Sequence, residues 1–429
     1  MKQVARDMKI DRYGLYGMAD FPKSEYEGRI KRAQKAMHER RIDGLLITSE
    51  ENVYYFSGYR TTAGFIKDYA PCVIILPAQG SPRSILSIAM RGNAEAMSSV
   101  SDVCYLGWEG LERLTDLRFS TGFVETIIKE IEPEGLGSQT IGVELNQSMR
   151  MGVSAKDFES IKSALSKATF VDAGPLIWEL RMVKSSLEVQ HLKRACDMAC
   201  KGFQIGFKSL REGMSEREFA RAVYIGMLDA GCEDNPVKMT LNTRAGLDRY
   251  AWCEARPSER IIKKGDIVIL DNGGMLYRGY WADIARFACV GEPSKNQKEL
   301  CDIAREAQEV GIDNLRPGVP VSQVYAKVMD FIKKSGYERY QMYEDAGHGI
   351  GLDIHEPPHF NYRSDVILRP GMVVTMEPTI YDIPVIKGIL EGSINPAEGL
   401  FFLEDEVLIT DSKPEILSPL DRSMHIVST

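Results

Sequence analysis

The sequence predicts two domains, a small α/β unit over residues 1–175 and an α+β unit over residues 176–429. Three observations carry this expectation. The 429-residue chain is longer than the ~250–300 residues at which a single core usually divides. Up to Asp172, helical and extended patterns alternate, as they do where helices flank a sheet. Beyond Asp172, long helical stretches give way to strands in the order of a largely antiparallel α+β domain.

Taken in order, Glu25 to Arg41 places apolar residues at helical spacing, and Gly44 to Thr48 (GLLIT) reads as a buried strand. Asn52 to Tyr59 (NVYYFSGY) is aromatic and broken by Gly58. Ala70 to Pro77 and Arg83 to Ile88 read as consecutive strands around a Gly-Ser-Pro turn. A helix near Gly122 to Ile131 precedes strands at Thr140 to Glu144 and Thr169 to Asp172. Arg181 to Phe207 reads as one long helix, and a second starts at the capping box Ser215-x-x-Glu218. Two further helices are expected at Lys295 to Leu315 and Val321 to Ser335. Strands are expected at Asp266 to Asp271, Tyr280 to Val290, Gly371 to Glu377 and Leu400 to Ile409.

Composition narrows the class. Apolar residues at 44% and charged residues at 27% describe a folded globular chain rather than a disordered one. A net charge of −8 argues against nucleic acid or an anionic membrane as partner, because both attract basic patches. The polar start, Met1 to Lys9, has no apolar signal core. The strongest apolar run, Cys72 to Leu76, falls short of the ~20 residues that span a bilayer, so a cytoplasmic protein is expected. None of the eight cysteines forms a Cys-x-x-Cys pair, so buried reduced thiols are expected rather than a zinc knuckle.

Four segments carry chemistry. In IVILDNGGMLYRGYWADIARF, one strand delivers Asp271, Gly273-Gly274 turn the chain, and a returning strand delivers Asp283. Paired carboxylates repel unless something positive lies between them, either a metal dication or Arg286 or Arg278. In AGHGIGLDIHEPPHF, three of the six histidines fall close together as His348, His355 and His359. The glycines beside His348 permit close backbone approach to a ligand. MEPTIY places Glu377 at a strand end, and LFFLEDEVLIT embeds Glu404 in apolar sequence, where an acid is costly unless paired or metal-bound. Asp405 and Glu406 read as solvated turn residues.

The order Asp, Asp, His, Glu, Glu with these flanks resembles the pita-bread family of X-Pro aminopeptidases, prolidases, creatinases and methionine aminopeptidases. NVYYFSGY resembles that family's N-terminal-domain signature, and LRMVKSSLEVQHLKRA the stretch that opens its catalytic domain. GHGIGLDIHE, MEPTIY and LEDEVLIT resemble its metal and histidine motifs. The resemblance implies that Asp271 chelates one metal, Asp283 and Glu404 bridge two, and His348 and Glu377 bind the second. It further implies a hydroxide shared by the two metals as nucleophile, with manganese first among the candidates and cobalt, zinc or iron as alternatives. Glu377 would shuttle a proton, and His355 would hydrogen-bond the substrate or the developing oxyanion.

Three departures bear on the substrate. No histidine lies between His191 and His348, so the loop histidine that family peptidases carry before the first metal Asp is missing; Trp252 or Tyr250 stands in that neighbourhood. The spacing from Asp271 to Asp283 is one residue long, which predicts a bulge in the GGMLYRG segment. Thr379 follows the Glu-Pro motif where glycine is usual, and Tyr381 to Gly399 forms a long loop of the kind that caps pockets. Arg60 and His359 are candidate substrate-binding residues, Arg60 as a fork for a carboxylate presented within a homodimer.

The expected activity is dinuclear metal-dependent hydrolysis of an amide or imide C–N bond, on a short peptide of the X-Pro type or another small molecule. One rival is a non-peptidase hydrolase or lyase on the same site, like the creatinase, ectoine hydrolase or dimethylsulfoniopropionate lyase relatives. Neither subclass fits cleanly, since creatinase-like members lose metal ligands and lyase relatives carry an acid where this chain has Gly273. A second rival is a silent binding protein, against which four costly carboxylates speak.

Overall fold

A computed structural model describes residues 19–61, 72–109, 117–145, 148–233, 239–246, 256–337, 345–381 and 400–428. The chain divides into two compact units, Met1–Leu180 and Arg181–Thr429.

In the first unit, helix α1 (Lys23–Arg40) leads into strand β1 (Gly44–Ile47) and helix α2 (Glu50–Ser57). Strands β2 (Cys72–Pro77) and β3 (Arg83–Ser87) follow, then α3 (Arg91–Met97), β4 (Asp102–Leu106), β5 (Phe119–Ser120) and α4 (Phe123–Ile131). Strand β6 (Thr140–Val143), α5 (Ala155–Ala164) and β7 (Thr169–Asp172) complete it. The strands form one sheet in the order β5-β4-β3-β2-β1-β6-β7. It is antiparallel at β1–β2 and β2–β3 and parallel elsewhere. Leu46, Val73, Ile75, Ile85 and Val143 on one face pack against Ile127, Ile131, Phe158 and Ile161 of α4 and α5. The expected α/β unit is therefore present. The aromatic NVYYFSGY run is a buried helix whose first turn is capped by the Ser49 hydroxyl. The buried Glu144 carboxylate secures that turn by accepting from Thr48 N at 2.7 Å, Ser49 N at 3.0 Å and Asn52 Nδ2 at 2.7 Å.

Helix α6 (Gly174–Met182) ends where the second unit begins, and α7 (Ser186–Ser209) starts anew. The single helix expected from Arg181 to Phe207 is thus broken. Lys184 N donates to Gly371 O at 2.9 Å, and Ser185 opens α7 with a capping box to Glu188. The Ser185-x-x-Glu188 signature is the same signal that marks Ser215 at the start of α8 (Glu216–Asp229). Strands β8 (Met239–Ala245), β9 (Ile267–Tyr277) and β10 (Tyr280–Val290) are followed by helices α9 (Lys295–Asp313) and α10 (Val321–Lys334). The remaining strands are β11 (His348–Gly349), β12 (Glu356–His359), β13 (Val373–Met376), β14 (Ile380–Tyr381), β15 (Leu400–Phe401), β16 (Asp405–Leu408), β17 (Glu415–Ile416) and β18 (His425–Val427). They build sheets in the orders β18-β10-β9-β8 and β12-β11-β13-β16-β17, plus the pair β14-β15. Within them only β10–β18 is parallel.

Strands β9 and β10 are apolar on both faces because both are covered. Val268, Leu270, Ile284 and Ala288 meet α7 and α8, whereas Ile267, Ile269, Ala285 and Phe287 meet α9 and Phe401 to Leu403. The strand expected over Leu400 to Ile409 is two strands in different sheets, interrupted at Phe402 to Glu404.

Candidate metal centre

The site grows out of the alternation of β9 and β10. Ile267, Ile269 and Asp271 point to one face, as do Asp283, Ala285 and Phe287, so each apolar row ends in a carboxylate. Asp271 pairs with Ala285 and Asp283 with Gly273, which makes the two acids diagonal neighbours on that face. The Gly273-Gly274 turn expected from sequence is absent: β9 continues to Tyr277 and the chain reverses at Arg278 and Gly279, with φ of 52° and 80°. Both residues are left-handed, the conformation of a tight two-residue hairpin turn. The expected bulge is present, because the register shifts between Tyr280 and Trp281.

Two other strands close on this face. His348 lies on β11 between Gly347 and Gly349, whose hydrogens face the carbonyls of Thr375 and Pro357 so closely that a Cβ would collide with them. These glycines let the neighbouring strands pack closely against His348. Glu377 follows β13, its N–H donating to Ala346 O at 2.9 Å. Thr379, in the place where glycine was expected, donates its hydroxyl to Glu377 O at 3.0 Å. Glu404 forms an isolated bridge to Ala285.

His348 Nε2 stands 3.1 Å from Glu377 Oε1 and 3.8 Å from both Asp283 Oδ2 and Glu404 Oε1. Its Nδ1 contacts the Gly349 carbonyl at 3.0 Å. A carbonyl only accepts, so Nδ1 carries a proton, and Nε2 is the ring nitrogen that faces the carboxylates. Asp271, Asp283 and Glu404 form one group of donors within 4.8 Å of one another; His348, Glu377 and Glu404 form a second, and Asp283, His348 and His355 a third. Burial first, then the neighbouring acids, holds Asp283 and Glu404 well above the usual carboxylate range. Burial also lifts Asp271 to about 7, against the Asn242 amide, which donates to its Oδ2 at 3.0 Å. His348 Nε2 and Glu404 Oε1 are buried without a hydrogen-bond partner. A crowd of acids around these two orphaned atoms, one of them an imidazole nitrogen, fits a divalent cation.

Neither Arg286 nor Arg278 is placed between the two acids. Arg286 reaches Asp405 Oδ1 at 2.6 Å and the carbonyls of Glu404 at 2.7 Å and Asp421 at 2.8 Å, thereby docking the Glu404 segment on β10. Arg278 sits in the hairpin turn, 5.4 Å from the Tyr277 ring centroid. Asp405 and Glu406 are fully buried, not solvated. The seven described free cysteines are buried, and Cys253 lies outside the described residues.

His355 lies beside His348, ring centroids 4.0 Å apart. Desolvation and then His348 press its pKa down to about 4 although its outer edge is exposed. Its turn is anchored from below by Glu356, which accepts from Arg181, from Lys184 Nζ at 3.2 Å and from Leu352 N at 3.0 Å. Arg181 also reaches Asp353 Oδ2 at 2.8 Å. His359, on β12, approaches Asp345 Oδ2 at 3.5 Å and is absent from the close donor groups among the described residues. Arg60, in the first unit, has its Nε 3.1 Å from Asp20 Oδ2. Trp252, Tyr250 and residues 382–399 lie outside the described residues.

Sequence reasoning missed the supports: Asn242 behind Asp271, Glu406 behind Asp283, and Arg181 with Lys184 behind Glu356. It also missed Glu216, whose buried carboxylate accepts from Ala245 N at 2.9 Å, Ser258 N at 3.0 Å and Ser258 Oγ at 2.7 Å. Charged residues beside apolar ones in LRMVKS were the only signal, and nothing in the linear pattern names their partners.

Comparison with known proteins places this geometry. A family model described as Metallopeptidase family M24 matches residues 190–411, and one described as Creatinase/Prolidase N-terminal domain matches residues 29–183. An uncharacterized peptidase of Bacillus subtilis is 31% identical, over 86% of this chain and 92% of that protein. A Xaa-Pro dipeptidase of Pyrococcus furiosus is 29% identical, over 92% of this chain and 99% of that protein. Among solved structures, a Xaa-Pro dipeptidase from Bacillus anthracis superposes with a TM-score of 0.77 at 27% identity, covering 94% of this chain and 100% of that one. The prolidase from Pyrococcus horikoshii gives 0.75 at 26% identity, with 92% and 99% covered. The two-domain architecture is that of these prolidases, with a pita-bread catalytic domain.

Proposed function

The chain belongs to metallopeptidase family M24, and we propose that its five-residue cluster holds two divalent ions and cleaves the amide bond preceding proline in X-Pro dipeptides or short peptides. The observation that carries this reading is the buried meeting of His348 Nε2 and Glu404 Oε1 inside a ring of acids that only a cation would reconcile. That relatives of this chain are Xaa-Pro dipeptidases supports the substrate class, and speaks against a creatinase- or lyase-like alternative.

Asp271, Asp283 and Glu404 would hold one ion, and His348 and Glu377 with the bridging Asp283 and Glu404 the other. Oxygen-rich donors of this kind suit manganese, with cobalt, iron or zinc as substitutes. When bound, the metals supply Lewis acidity toward the scissile carbonyl and lower the pKa of water at the site. Glu377, half-buried at the rim, takes the proton of the attacking water and returns it to the leaving nitrogen. His355 is uncharged at neutral pH and donates an N–H to the substrate carbonyl oxygen as negative charge develops there. Trp252, His359 and Arg60 are assigned to substrate binding, Arg60 reaching a substrate carboxylate within a homodimer. No described helix is long and apolar enough to cross a membrane.

The deciding experiment combines elemental analysis after manganese reloading with turnover of X-Pro against X-Ala dipeptides. Two ions per chain and selective X-Pro cleavage are expected. Failure to cleave any X-Pro peptide with both ions bound would remove the substrate assignment. Full activity without metal would remove the mechanism. Sedimentation velocity tests the homodimer.

A further inference from the structure

We propose that Glu406 is a positioning residue for the metal centre, holding the main chain of Asp283 and thereby aiming its carboxylate into the cluster. The inference rests on the metal-binding reading above. Glu406 lies on β16 of one sheet, and its Oε1 accepts from the N–H of Asp283 on β10 of another at 2.8 Å. The side chain is thus a polar strut between two sheets at a residue that enters two of the three donor groups.

The surroundings make an incidental acid implausible on energetic grounds. Glu406 is fully buried, and burying a carboxylate is costly unless its contacts repay the lost hydration. Its Oε2 has no hydrogen-bond partner among the described residues, and the Cys196 thiol of α7 is one of the neighbours that act on the carboxyl group. Lys184, Asp405, Asp283 and Glu404 are charged or titratable groups that interact with it. An apolar residue would fill the same space without burying an acid, but would leave the Asp283 N–H unsatisfied. Position 406 therefore carries an acceptor where packing alone asks for none. Groups that orient metal ligands from behind tune affinity in this way.

The test uses the full chain as wild type, Glu406→Gln, Glu406→Leu and Glu406→Asp, each checked for folding by near-ultraviolet circular dichroism. Cobalt(II) affinity and the visible absorption of the cobalt-loaded protein are measured by titration. Glutamine keeps the acceptor, so its affinity is expected within about threefold of wild type with the same spectrum, whereas leucine should weaken binding by about 10–100-fold and alter the bands. A folded leucine variant with wild-type affinity and spectrum would overturn the proposal. Should leucine not fold, aspartate decides, because it keeps the carboxyl group but draws the acceptor back by one methylene; weaker binding supports the role and unchanged binding refutes it. A wild-type chain that binds no cobalt would instead overturn the metal reading itself.

Discussion

His348 Nε2 and Glu404 Oε1 face each other across 3.8 Å, both buried and neither hydrogen-bonded. Each orphaned atom costs about 1–3 kcal/mol. Two of them in one place define a position that a cation completes, and the behaviour of the protein without metal follows from it.

Metal-free protein is expected to lose thermal stability as the pH rises from about 6.5 to about 8. Unfolded carboxyls titrate near ~3.9–4.3 and are ionised throughout that range. Folded, Asp271 is held up to about 7, and Asp283 and Glu404 well above the ordinary range, so rising pH strips protons that the unfolded chain has already lost. The folded state binds more protons in this window, and its stability therefore falls with pH. His355, with its folded pKa down at about 4, acts in the opposite sense but mainly at lower pH. Manganese replaces those protons and should raise Tm more at the upper pH. Calorimetry of chelated and reloaded protein at both values checks this; a pH-independent Tm for the chelated form would contradict it.

Removing a bridging acid should be more severe than removing any support. Asp283→Ala and Glu404→Ala are each expected to lose bound metal and to reduce turnover by more than the ~10–100-fold typical of outer partners. Unchanged turnover in either variant would sink the bridging assignment.

His355→Ala should separate chemistry from binding. Turnover is expected to fall by roughly 10²–10³ with metal content preserved, as loss of one oxyanion donor does. Because His355 shares a donor group with Asp283 and His348, loss of metal in this variant would make it a ligand instead.

Arg181→Met tests the anchor beneath the His355 turn. It leaves the buried Glu356 with Lys184 and main-chain donors alone, a loss expected to cost about 3–5 kcal/mol in denaturant unfolding. A variant as stable as wild type would show that Lys184 suffices.

Asp271, Asp283, Glu377 and Glu404 were legible because each stands in or at the end of apolar strand sequence, where an acid is conspicuous, and His348 because three of the six histidines crowd one glycine-flanked segment. Their supports were not. Arg181 and Glu356 are 175 residues apart, and only the folded chain brings them together. Glu406 looked solvated because Glu404, Asp405 and Glu406 form an acidic run, yet Arg286, Arg422 and the Asp283 N–H each claim a member of it. The hairpin turn was misplaced because Gly273-Gly274 resembles a turn more than Arg278-Gly279 does. What glycine does there is lie opposite Asp283 in the sheet. The break after Met182 was readable from its capping box but lost within a continuous helical pattern.

Glu216 grips Ala245 and Ser258, the two ends of one stretch, with a single carboxylate. Arg260 and Asp266 brace the downstream end with contacts of 2.6 Å and 3.1 Å. One buried acid on α8 thus fastens the end of β8 from outside the sheet, and the register that sets Asn242 beside Asp271 is inherited from a helix that carries neither of them.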